Sequence, residues 1–238
     1  MCDEFVFVAG QMAHIPGTGL DPRAAVPDHA AWAGIPIRRQ TEFLIEHKLK
    51  PALEAAGSAL GQSIKAQIYL ADIADAPDCL ATAGGIIEIN LIALVNDATR
   101  RKEVIEADFP EMAACGPHLK VGEFLLPSGL MAAGHDGRII GSDVSSSFVS
   151  LAHAGYTQAA ALYGYVEALC HAAGTAMDRL LRAQYFVADV AAFSGIATAW
   201  SSRYGIQPHP FLCVQTPSPM PAPGCALIGD FWISTVTP

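Results

Sequence analysis

The sequence predicts an α/β protein in which one unit is used twice. Three observations carry that reading. An amphipathic helix, a glycine stop and a strand occupy residues 40–72, and the same order recurs over residues 158–189. At a fixed offset of 117, Ile45 falls on Leu162, Leu49 on Val166, Leu53 on Cys170 and Ala56 on Ala173. Those three- and four-residue steps mark one helical face. Gly57 and Gly174 each follow the last helical turn, where a left-handed residue is cheapest as glycine. The boundary is expected near Asp108, giving a first domain over 1–107 and a second over 108–238.

Phe5-Val6-Phe7-Val8 reads as a short buried strand that stops at Ala9-Gly10-Gln11. Its echo is Phe124-Leu125-Leu126, leading to Ser128-Gly129. Residues 13–36, rich in Gly, Pro and Ala, read as loop. Pro51 should kink the first helix because it removes a donor, whereas the second, from about Tyr156 to Ala173, has no proline.

After the repeated strand the copies diverge. The first passes in five residues from Asp78 to Gly84, then enters an alternating strand at 86–95. Its apolar face is Ile87, Ile89, Leu91 and Ala93, with Glu88 and Asn90 on the other side. The second copy takes 28 residues between Gly195 and Gly224, room for a helix (IATAWSSRYG) and a strand (FLCVQT). A terminal strand follows at 226–236, where Asp230 answers Asn90 at an offset of 140, so the first copy is 23 residues shorter. Losing a helix and a strand leaves a sheet face uncovered. Either the second copy covers the gap or a segment near residues 79–83 is absent.

Composition narrows the function. With 52% hydrophobic residues among 238, a sizeable core is available, and no apolar run is long enough to span a bilayer. The N-terminal stretch has no basic n-region, so no signal peptide is expected. A net charge of −9 argues against a nucleic-acid partner. Six cysteines without C-x-x-C or framework spacing read as reduced thiols of a cytoplasmic protein. The histidines lack ligand spacing, so neither a metal nor another cofactor is expected. No nucleophile elbow, P-loop or H-E-x-x-H appears.

The order of motifs resembles the reactive intermediate deaminase (Rid, YjgF-like) family. The residues that carry the likeness are VFVAGQ (6–11), KPALEAAGSAL (50–60), AQIYLADIAD (66–75) and GGIIEINLIA (84–93). In the second copy they are CGPHLKVGEFLLPSGL (115–130), VEALCHAAGTAM (166–177) and AQYFVADVAAF (183–193). The resemblance implies two tandem chorismate-mutase-like domains, each a mixed sheet with helices on one face. It also implies a homo-oligomer with trimeric or pseudo-trimeric domain packing and small-molecule pockets between domains. Deaminating members clamp a substrate carboxylate with an arginine, which suits a bidentate guanidinium. Phe211 stands in that place here. The family's tyrosine after Gly-Pro is His118, and its last-strand glutamate is Glu88 in the first copy but Ile228 in the second.

Imine hydrolysis needs a held water and a proton carrier. Glu88 can orient a water, and His118, behind a Gly-Pro turn, suits proton transfer. These are the candidate catalytic residues, each weighed against a plain reading as a solvated strand or loop residue. Gly10, Gln11, Ser128 and Gly129 are candidate substrate contacts, since strand-end glycines admit a ligand close to backbone N–H groups. His209, Phe211 and Cys213 join them at the strand entry, Cys213 also reading as a core thiol. Two functions remain. One is a hydrolase acting on an imine, enamine or related C–N bond of an uncharged or aromatic metabolite. The other is a non-catalytic oligomeric binding or scaffold protein. A ribonuclease stands third, disfavoured by the acidic balance.

Overall fold

Two units, Met1–Arg100 and Arg101–Pro238, make up the chain in a computed structural model that describes residues 3–26, 35–72, 75, 87–142, 154–206, 209–216 and 220–236. The segment near residues 79–83, where the first of the two expected copies is short, lies outside the described residues.

The first unit opens with strand β1, Phe5–Met12. It does not stop at Gly10. A shift of register between Val8 and Gln11 absorbs the glycine as a bulge and the strand continues. Nor is it buried on both faces, for Phe7 is 53% exposed. Residues 13–26 are not plain loop. They form a small hairpin, β2 (His14–Ile15) with β3 (Gly19–Leu20), and a 3-10 turn at Pro22–Ala24 capped by Asp21.

The helix of the first unit is broken near Pro51. Helix α1 (Pro36–Leu44) runs into a π-helical turn, Ile45–Leu49, and then α2 (Lys50–Ala55). The Lys50 N–H donates to the Ile45 carbonyl, a wider turn formed just before the residue that cannot donate. Gly57 then takes φ 71°, ending the helix and starting β4, Ser58–Leu70.

Strand β5, Ile87–Val95, lies between β1 and β4, antiparallel to both. Its residues Ile87, Ile89, Leu91 and Ala93 pack with Val6, Val8, Leu44, Leu49 and Leu53 into one core. Glu88 and Asn90 fall on the face away from the helices. At the sheet's end the Glu4 carboxylate accepts from the Thr99 hydroxyl and the backbone N–H groups of Thr99 and Arg100. Those bonds, led by Thr99, hold it down to about 2.

In the second unit, β6 (Lys102–Ile105) pairs with β7 (His118–Val121), and β7 with β8 (Phe124–Leu126). A two-residue strand β9 (Leu130–Met131) precedes a single 19-residue helix, α3, Ala154–Ala172. Gly174, at φ 73°, closes it as Gly57 closes α2. Strand β10 (Leu180–Val187) leads through helix α4 (Ala192–Tyr204) to β11, Phe211–Gln215. Strands β10 and β11 run parallel, which is why a helix must connect them. Strand β12, Leu227–Ser234, takes β10 on one edge and β8 and β9 on the other.

Helices α3 and α4 cover one face. Leu162, Val166 and Leu169 meet Tyr185, Leu227, Phe231 and Ile233 in a continuous core, each side chain of that size contributing roughly 1.5–3 kcal/mol by leaving water. Gln158 is fully buried, and its amide spans the 224–226 backbone, donating to the Gly224 carbonyl and accepting from the Ala226 N–H, both at 2.8 Å. No helix among the described residues is long and apolar enough to cross a membrane.

Candidate functional site

The structure gathers the nine sequence-predicted residues into three groups. In the first unit Glu88 pairs across the ladder with Met12 on one side and Tyr69 on the other. The bulge brings Gly10 beneath it. A Cβ at Gly10 would lie 2.5 Å from Glu88 Cδ and 2.9 Å from Cγ, and closer still to Oε1. Only a glycine leaves room for the carboxylate to lie on the backbone there. Gln11 folds back, its amide donating to the Ala9 carbonyl at 2.8 Å. The result is a half-buried carboxylate on the face away from the described helices, flanked by Tyr69 and Met12, both partly exposed.

The second group stands in the second unit. His118 is only 7% exposed, and its Nδ1 accepts from the Ser128 N–H at 3.1 Å. With Nδ1 so occupied, the proton of the neutral ring lies on Nε2. Phe109 meets the ring edge-on at 5.3 Å. Ser128 Oγ accepts from the Gly116 N–H, and the Gly129 carbonyl from the Cys115 N–H. A methyl at Gly129 would lie 3.6 Å from Cys115 Sγ and 3.7 Å from Ile228 Cγ2. The glycine therefore faces the Ile228 sec-butyl group and a thiol.

The third group lies under helix α4. His209 stacks on Trp200 at 3.8 Å between ring centres, and its Nε2 is 3.1 Å from the Tyr185 hydroxyl. Tyr185 meets the Tyr163 hydroxyl at 3.0 Å, and Tyr163 donates to the Ile196 carbonyl at 3.4 Å. The hydrogens then run one way: His209 Nε2–H to Tyr185, Tyr185 to Tyr163, Tyr163 to the backbone. Burial pushes His209 down to about 4 and Tyr163 up to about 12, and raises Tyr185 further. Phe211 stacks on Phe193 at 5.1 Å, at the start of α4, and Cys213 packs against the core. Residues 211 and 213 thus turn toward the helices, while Leu212 and Val214 take the opposite face.

Sequence reasoning missed Tyr163, Tyr185 and Trp200, although the i, i+2 pattern of Ala183, Tyr185 and Val187 placed Tyr185 on the core face. It also missed Tyr69 beside Glu88, which only the strand register reveals. Among the described residues no group of three or more His, Cys, Asp or Glu is placed to hold a metal ion.

No protein-family model matches the chain. No curated protein matches it either. Solved structures do. A conserved Rid-family protein of unknown function, YyfA from Yersinia pestis, aligns over 57% of this chain and all of its own at 16% identity, with a TM-score of 0.47. TdcF of Escherichia coli, solved with bound serine, covers 57% of this chain and all of its own at 20% identity and a TM-score of 0.44. RidA from an Antarctic Psychrobacter covers 56% of this chain and 98% of its own at 16% identity and a TM-score of 0.43. The solved structures that this chain resembles over just more than half its length are those of Rid-family proteins.

Proposed function

We propose that this protein is a Rid-like hydrolase acting on an imine, enamine or related C–N bond of a small metabolite, with Glu88 as its water-orienting group. One observation carries the reading: the Glu88 carboxylate lies on the Gly10 backbone, on the sheet face away from the helices described in its unit. In the step proposed, a water held by Glu88 adds to the imine carbon while the C=N electron pair moves to nitrogen, which takes up a proton. The carbinolamine then collapses, its hydroxyl proton leaves, and the C–N bond breaks to give a carbonyl compound and an amine. Glu88 serves as proton acceptor in the first stage and donor in the second. His118 is the corresponding proton carrier in the second unit, through Nε2.

Phe211 supports an uncharged or aromatic substrate, since no guanidinium stands at that place to hold a carboxylate. The same residue supports a second reading, an oligomeric metabolite-binding protein without chemistry, because its ring is stacked on Phe193. Hydrolysis of a neutral imine and of a carboxylate-bearing imino acid, each generated in situ by a flavin oxidase, separates the two. Turnover favouring the neutral imine supports the hydrolase. Binding without turnover of either transfers the weight to the second reading.

The tandem organisation belongs to this proposal. Strand order β1-β5-β4 in the first unit parallels β8/β9-β12-β10 in the second, and among the described residues the first has no counterpart of α4 and β11. Gly10 against Glu88 parallels Gly129 against Ile228. Like the family it resembles, the protein is proposed to form a homo-oligomer in a reducing, cytoplasmic setting, consistent with four free thiols among the described residues. Sedimentation velocity tests this: a species of more than one chain is expected, and a monomer of 25.0 kDa at micromolar concentration contradicts it.

A further inference from the structure

The seven-stranded sheet of the second unit has two edges that differ. At one, β6 carries Lys102 and Glu103, both exposed, and charge of that kind discourages a further strand from pairing. At the other, β11 reads Phe-Leu-Cys-Val-Gln and pairs with β10 in unbroken register, with no charge, proline or bulge. The Ala183 N–H donates to the Pro210 carbonyl and the Thr216 N–H to the Val187 carbonyl, both at 2.9 Å. In a parallel ladder this register turns both backbone groups of Leu212 and Val214 toward β10, and both groups of Phe211, Cys213 and Gln215 outward. No strand among the described residues pairs with that outer edge, which leaves three N–H and three carbonyl groups to solvent. Beside them the Leu212 side chain is 49% exposed on the face away from the helices.

We propose that the outer edge of β11 pairs antiparallel with β11 of a second copy of this chain, about a two-fold axis at Cys213. The pairing rests on the homo-oligomer proposed above and names one of its contacts. The spacing of the outward groups selects this occupant, because three residues at two-residue intervals are their own complement when reversed. Cys213 meets the partner's Cys213 and Phe211 the partner's Gln215, so all six outward groups on each chain find partners. Leu212 meets the partner's Val214 in the closer, non-hydrogen-bonded pair, which takes apolar surface from water. A two-fold axis sets a strand's charges beside their own copies, and β11 has none. Phe193, stacked on Phe211, places α4 beside this edge. Ser194, Ala197, Thr198 and Ser201 form an exposed stripe on that helix, and the three hydroxyls already donate to carbonyls one turn back. That stripe offers a second copy's α4 no bulky or charged side chain.

The test is amide hydrogen exchange on the full-length protein, followed by NMR from low to several hundred micromolar, beside sedimentation velocity. The amides of Phe211, Cys213 and Gln215 are expected to slow at least tenfold with rising concentration, in step with a two-chain species. Leu212→Lys and Val214→Glu are each expected to weaken association at least tenfold, and an equimolar mixture to restore it, since lysine then faces glutamate across the axis. Rescue by mixing separates a lost contact from a lost fold. A larger species in which these three amides stay fast, or variants that associate like the wild type or stay unrescued, overturns the pairing and leaves the homo-oligomer standing. A monomer at every concentration overturns both, and neither result bears on the imine assay.

Discussion

The His209 ring gives the second unit a specific dependence on pH. In the folded state burial holds its pKa down from 6.5 to about 4, so between those values the unfolded chain carries a proton that the folded chain does not. Stability is therefore full above 6.5 and is lost as pH falls toward 4. Moving from about pH 7.5 to about pH 5 costs about 2 kcal/mol if the ring is wholly shielded. The ring is only partly buried, so about 1 kcal/mol is the expected loss. The perturbation is His209→Gln, which keeps a polar partner for Tyr185 and does not titrate in this range. Urea unfolding followed by tryptophan fluorescence at the two pH values measures the difference in midpoint. The wild type should lose more stability than the variant by that amount. Equal losses would refute the claim that the ring is held neutral between Trp200 and Tyr185.

Gly10→Ala should leave the fold intact, since Gly10 is not in the left-handed region and the clash is with the mobile end of Glu88. It should nonetheless lower imine turnover at least tenfold, by moving the carboxylate, in a steady-state assay. Val166→Ala, at a wholly buried position, should cost roughly 2–4 kcal/mol in chemical denaturation. A cost below about 1 kcal/mol would mean that the core under α3 collapses around the gap.

Much of the fold was legible because helices and strands impose different periods on burial. The three- and four-residue steps in 158–173 and the alternation at 87–93 each needed only local spacing, and Leu49, Leu53, Val166 and Cys170 are all buried as that spacing required. Gly57 and Gly174 were readable for the same reason, since a left-handed residue after a helix is a local demand. Features that depend on a partner strand were not. The bulge that carries β1 past Gly10 arises in pairing with β5, and the short strand β6 has only Ile105 buried among its four residues, too little to leave a pattern.

The site was legible in part. Glu88 stood out as a polar residue alternating with an apolar face, but its closeness to Gly10 is a matter of register across 78 residues. His118 reads as a proton carrier behind a Gly-Pro turn, with a solvated loop residue as the plain alternative; it is the first residue of β7, held by Ser128 and only 7% exposed. Phe211 reads at the strand entry without a side, whereas Cys213 also reads as a core thiol, and it packs against the core. Their turn toward the helices follows from the parallel pairing of β10 with β11, which sequence spacing does not contain.

The measurement that tests the central claim most directly is kcat/KM for a neutral imine in wild type and Glu88→Gln. Glutamine keeps the size of the side chain and its place over Gly10 but cannot accept the water's proton. The expected result is measurable turnover by the wild type, with kcat reduced about a hundredfold or more in the variant and KM little changed. Wild-type turnover that Glu88→Gln leaves intact would contradict the account, because the chemistry would then lie away from the carboxylate.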